Sequence, residues 1–203
     1  MPKNSMIHLN GNAMCVIDCE TSGLNDEVHE IVEIAILPLD SRFELRKDVP
    51  IFNIFMRVEN DTKIEWEAFR VTKIDFFKHQ QTALDKDVAA DLFEQWVDKL
   101  CLPHGKRISP LAHNWKFDKG FIEQWLGKGT FEDIFDGRSR DTLDVSLFLN
   151  DVADRKAEQI PFAKNNLGWL AKTLNIPHER AHTAVDDCVV TAAIYKRFIQ
   201  GMI

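Results

Sequence analysis

The apolar run Met14-Cys15-Val16-Ile17 ends on Asp18-Cys19-Glu20, and no other feature of the chain constrains its fold so tightly. Four apolar residues in a row before a charge read as a buried strand. Side chains alternate faces along a strand, so Asp18 and Glu20 project to the same side. Two carboxylates held that close repel each other unless a cation lies between them. Oxygen ligands favour a hard ion such as Mg²⁺ or Mn²⁺. Downstream, Asp118 in His113-Asn114-Trp115-Lys116-Phe117-Asp118 offers a third carboxylate, and Asp187, five residues after His182, offers a fourth. The set reads as a two-metal, phosphodiester-cleaving site.

At 203 residues the chain suits one domain, 1–203, with a motif-bearing core at about 13–200. Its 45% hydrophobic and 28% charged residues are ordinary for a globular protein in water. No run is apolar enough over enough residues to span a bilayer. Met1-Pro2-Lys3-Asn4-Ser5 has no apolar signal core behind it, so neither membrane insertion nor export is expected. Cys15, Cys19, Cys101 and Cys188 match no small disulfide framework. Cys15 and Cys19 fall on the strand face opposite Asp18 and Glu20 and read as small core residues. A reducing cytoplasm is the default location. The net charge of -7 argues against coating nucleic acid through bulk electrostatics. It leaves room for an enzyme acting on one end of a strand, because several of the acids would face metal ions. Lys116, Lys119, Lys128, Arg138, Arg140, Lys164 and Lys172 cluster near the proposed elements, and most read as solvated surface charges.

Strands are expected at residues 13–20, 30–37 and 51–58, with a turn at 22–26, a stop at Pro38 and turn chemistry at Asp40-Ser41-Arg42, which suggests a meander. Residues 84–100 place Val88, Leu92, Phe93, Trp96, Val97 and Leu100 at helical spacing. Residues 107–112 are a candidate fourth strand, weakened by Pro110, which cannot donate to a ladder. Helices are expected at 120–126, 166–175 and 184–198, with Ala184, Cys188, Thr191, Tyr195 and Phe198 on one face of the last and Asp187 beside it. Strands first and helices after, on one core, suggest an α/β domain with a mixed sheet.

Asp18-Cys19-Glu20-Thr21-Ser22-Gly23-Leu24 is close to D-x-E-T-[TS]-G-L. His113-Asn114-Trp115-Lys116-Phe117-Asp118 matches H-N-x-x-F-D, and His182-x-Ala184-x-x-Asp187 matches H-x-A-x-x-D. Together they resemble the histidine branch of the DEDD superfamily of 3′→5′ exonucleases, with its ribonuclease H-like mixed sheet flanked by helices. That branch includes the proofreading subunit of bacterial replicative polymerase, ribonuclease T, oligoribonuclease and phage nucleases. The sister branch places a tyrosine four residues before the last aspartate. Here the one tyrosine, Tyr195, follows Asp187.

The resemblance implies that Asp18, Glu20, Asp118 and Asp187 hold two divalent ions, Mg²⁺ or Mn²⁺, around a scissile phosphate. It implies His182 as general base, a role that imidazole side chains commonly fill near neutral pH. The expected partner is a nucleic-acid 3′ end, DNA before RNA, and the product a 5′-mononucleotide. Thr21 and Leu24 match positions that contact the terminal nucleotide, through the backbone and an apolar wedge. Asn114 and Phe117 match supporting or stacking positions. Relatives include dimers and a polymerase subunit, so a homodimer and a polymerase partner both stay open.

Other readings remain. Ribonuclease T and oligoribonuclease act on RNA, and discrimination would rest on contacts to the 2′-hydroxyl. A binding-only module would be expected to have lost a ligand, and this chain has lost none. His178-Glu179-Arg180-Ala181-His182 spells the zinc-protease H-E-x-x-H, but Pro177 starts the segment, and that chemistry needs both histidines on one continuous helix. Asp186 rivals Asp187 as a ligand, and the spacing from His182 selects Asp187. Asp141 reads as a site support or a cap. Trp66, Trp96, Trp115, Trp125 and Trp169 read mostly as core, with a stacking platform as the alternative.

Overall fold

The computed structural model describes residues 6–59, 64–179 and 182–201. Met1–Ser5, and Arg180 and Ala181 of the H-E-x-x-H segment, lie outside them. The central strand, β1 (Ala13–Thr21), pairs antiparallel with β2 (Ile31–Pro38), which pairs antiparallel with β3 (Phe52–Phe55). On its other side β1 runs parallel to β4 (Ile108–Ala112), which carries the short parallel β5 (Arg140–Asp141). The order is β3-β2-β1-β4-β5, the mixed sheet expected from the sequence.

Alternation along β1 sorts the two cores. Cys15, Ile17 and Cys19 face a layer formed by α3 (Lys86–Lys99), α4 (Trp115–Leu126) and α5 (Lys128–Ile134), where Phe93, Trp96, Phe121, Phe131 and Phe135 are buried. Met14 and Val16 face α8 (Ala184–Ile199), which buries Ala184, Cys188 and Ala192 on Ala35, Leu37 and Leu111. Asp18 and Glu20 continue the second set, so they emerge on the α8 side where the strand ends. A third cluster joins α8 to α7 (Leu167–Thr173) through Leu170, Leu174, Val190 and Ile194. Between β3 and α3 lie α1 (Trp66–Thr72) and α2 (Phe76–Thr82), and α6 (Thr142–Arg155) follows β5. Among the described residues no helix is long and apolar enough to cross a membrane. All four cysteines are free.

Several boundaries differ from the sequence expectations. Pro38 is the last residue of β2 rather than its stop, and its partner is Cys15. The third strand ends at Phe55; Met56 still donates its N–H to Val32 of β2 and also bridges Leu84. In α3 the buried face is Ala89, Phe93 and Trp96, while Val88 and Leu92 are exposed. The helix expected at 120–126 begins at Trp115, inside the second motif. Pro110 does occupy β4, opposite Cys15, and the ladder to β5 takes up only at Leu111. Its missing donor therefore falls beside a two-residue outer strand instead of between two full ladders.

Candidate active site

The C-terminal end of β1 lies between the first turns of α4 and α8, which approach from opposite faces of the sheet. Asp118 sits in the first turn of α4 and is buried, and its Oδ1 accepts the backbone N–H of Cys19 at 2.9 Å. That bond carries a carboxylate from the α4 side over the strand to the residue between Asp18 and Glu20. From the other side, Thr183 caps α8 and Asp187 is buried in its first turn. Both helices thus offer the positive end of their dipole to a carboxylate. His182, just before the Thr183 cap, adopts a left-handed backbone with φ 70° and stays exposed. One ligand atom each from Glu20, His182 and Asp187 lie within 4.8 Å of one another.

These carboxylates feel each other. Burial raises the Asp18 carboxyl well above its ordinary range, and the charges of Asp118, Asp187, Glu20 and Glu33 push it further. Glu20 is pushed up to about 7 by burial, then by Asp187 and Glu33. Burial also raises Asp118, against the lowering effect of the Cys19 N–H. Oxygen donors that converge at such cost fit a hard divalent cation, which would reverse the sign of the local field. Asp18, Glu20, Asp118 and Asp187 are the residues that would hold it, with the His182 imidazole at the rim.

Three supporting residues escaped the sequence analysis wholly or in part. Glu33 is buried on β2 directly across from Glu20; its oxygens accept from Asn53 Nδ2 at 2.8 Å and from the Ala184 N–H of α8 at 3.4 Å. A lone acid in the apolar run 31–37 was the available signal. Asp141, read as a cap or a support, does both: it accepts from the Leu143 N–H to cap α6, and from the Asn114 and Trp115 N–H groups at 2.9 and 2.7 Å to fix the start of α4. His178, set aside with the protease-like segment, places Nε2 2.6 Å from Asp187 Oδ1. His178, Glu179 and His182 lie outside any helix, since α8 starts at Ala184. The continuous helix that a zinc-protease site requires is therefore missing at these three residues.

The expected substrate contacts separate. Leu24 projects from the turn after β1 and is 76% exposed. Thr21 is buried, with its hydroxyl donating to the Gly23 carbonyl at 2.7 Å. Asn114 is exposed and, at φ 70°, caps α4 through a left-handed turn. Phe117, partly buried, packs on Phe121 at 4.9 Å against the core. The Glu20–His182–Asp187 group leaves out Asp186, beside Asp187, and equally Asp18 and Asp118, which join the site through the charge interactions at Asp18 and the Cys19–Asp118 hydrogen bond. Of the tryptophans, Trp96 and Trp115 are core and Trp66 is exposed.

With this geometry in place, comparison with known proteins is informative. The exonuclease family named RNase T matches residues 15–195. DNA polymerase III PolC-type from Staphylococcus haemolyticus (strain JCSC1435) is 28% identical over 188 residues, covering 92% of this chain but 11% of the polymerase. The chain therefore spans about a tenth of the curated relatives it matches. Solved nuclease structures share the fold. Cell-death related nuclease 4 superposes with a TM-score of 0.70 at 22% identity, covering 94% of this chain and 64% of that one. The zinc-bound complex of E. coli exonuclease I with single-stranded DNA gives 0.72 at 18%, covering 94% and 41%.

Proposed function

We propose that this chain, which belongs to the RNase T family of exonucleases, hydrolyses phosphodiester bonds from the 3′ end of a nucleic acid and releases 5′-mononucleotides. The family is of the DEDD type and depends on divalent metal. The observation that carries the proposal is the convergence of Asp18, Glu20, Asp118 and Asp187 at the end of β1, with His182 at the rim. We assign the four carboxylates to two ions, Mg²⁺ or Mn²⁺, which supply charge stabilisation for both the attacking and the leaving oxygen. His182 takes the proton of the attacking water, and its exposed place beside Glu20 and Asp187 suits that role. The leaving group is the 3′-oxygen of the penultimate nucleotide. Leu24, exposed on the turn after β1, wedges against the terminal base, while the backbone at Thr21 meets the 3′-hydroxyl. The residues from β1 to α8 act as one exonuclease domain.

DNA is the favoured substrate. Likeness over 92% of this chain to a segment of a DNA polymerase supports it, and a polymerase context for the domain is consistent with that likeness. The test is digestion of matched 5′-labelled single-stranded DNA and RNA with Mg²⁺, Mn²⁺ or EDTA. A metal-dependent ladder shortening from the 3′ end, faster on DNA, is expected. Shortening from the 5′ end or cleavage in EDTA would overturn the proposal, and faster cleavage of RNA would overturn the choice of DNA.

A further inference from the structure

The Asp187 carboxylate has an inward neighbour outside the three motifs. His178 Nε2 lies 2.6 Å from Asp187 Oδ1, and both side chains are about nine-tenths buried, 11% and 12% exposed. The carboxylate accepts, so the imidazole carries its proton on Nε2. The backbone of α7 backs the ring: a Cβ added at Gly168 would stand 3.9 Å from Nδ1. The imidazole therefore lies beside the α7 backbone and is bonded to the first turn of α8. The hydrogen bond occupies one lone pair of Oδ1 and orients the carboxylate, leaving its other lone pairs to a cation. Glu20 is held by its strand and Asp118 by the Cys19 N–H. Among the described side chains, His178 is the group seen to hold Asp187.

We infer that His178 is a positioning residue, which sets the Asp187 carboxylate for metal binding by holding Oδ1. This rests on the metal-site reading given above. The ligand-orienting partners of metal sites commonly contribute 10–100-fold in affinity. Three variants separate hydrogen bonding from space filling. His178→Leu keeps bulk and loses the donor, His178→Ala loses both, and His178→Gln returns an N–H near the position of Nε2. Mn²⁺ is titrated calorimetrically into each metal-free protein without nucleic acid, and the Mn²⁺ dependence of cleavage is measured in parallel.

The Leu and Ala variants are expected to bind Mn²⁺ roughly tenfold more weakly. Their half-saturating metal concentration should rise in step, and kcat at saturating metal should fall much less. The Gln variant should recover most of the affinity. Unchanged or tighter binding by His178→Leu overturns the inference, as does a Gln variant no better than Leu. Tighter binding would mean that the histidine competes with the metal. If the unsubstituted protein neither binds Mn²⁺ nor cleaves in its presence, the metal-site reading falls and takes the inference with it.

Discussion

Replacing Glu20 with glutamine should stabilise the metal-free protein, and do so in a defined pH window. Glu20 titrates near 7 in the fold instead of at 4.5, because it is buried and faces Asp187 and Glu33. A group whose affinity for a proton is raised by folding adds stability below its unfolded pKa and loses it as pH rises through the folded value. At ~1.4 kcal/mol per tenfold change in proton affinity, that loss amounts to about 3 kcal/mol between pH 4.5 and 8. Glutamine carries no charge at either end of the window. In EDTA, calorimetric or denaturant unfolding should give similar stability for both proteins near pH 5. The variant should lead by about 2–3 kcal/mol at pH 8, or roughly 5–10 °C in Tm for a chain of this size. Saturating divalent metal should reverse the order, because it removes the repulsion only where the carboxylates remain. A variant equal to or weaker than the parent at pH 8 in EDTA would refute the electrostatic reasoning.

Other outcomes follow from single residues. Asp18→Ala and Asp187→Ala should abolish cleavage while circular dichroism stays native; activity in either would remove the metal-ligand assignment. Asp141→Ala should cost about 2–3 kcal/mol in denaturant unfolding, since three N–H groups lose their acceptor, against ~1 kcal/mol for Asp75→Ala, where only the Lys78 N–H at the start of α2 loses its cap. Gly23→Ala should cost roughly 1–3 kcal/mol, because an added Cβ would clash with the edge of the buried His29 ring. Leu24→Ala should lower kcat/KM on single-stranded DNA with Tm unchanged, since the side chain is exposed.

Periodicity and the motifs made much of this molecule legible. The run at 14–17 and its two acids define β1, and apolar spacing defines α8, so the elements that carry Asp18, Glu20 and Asp187 were readable from local pattern. What escaped depends on pairing across the sheet. Glu33 becomes part of the site only because antiparallel register sets it opposite Glu20. Asp141 reaches α4 only because β5 runs beside β4. The start of α4 was missed because Asn114 enters it through a left-handed turn that no side-chain cap advertises. In α6 the buried residues are Thr142, Ser146 and Ala153, while Leu147 and Phe148 face solvent, so its apolar spacing points the wrong way. His178 was discounted through its place in a familiar five-residue pattern, and its partner turned out to lie nine positions on.

The most direct test of the central claim is anomalous diffraction from crystals soaked in Mn²⁺ with a nucleoside 5′-monophosphate. Two peaks roughly 3.5–4 Å apart among Asp18, Glu20, Asp118 and Asp187, with the phosphate beside them, are predicted. Density confined to a single ion between His178 and His182, or no ion at the end of β1 in a protein that cleaves DNA, would contradict it.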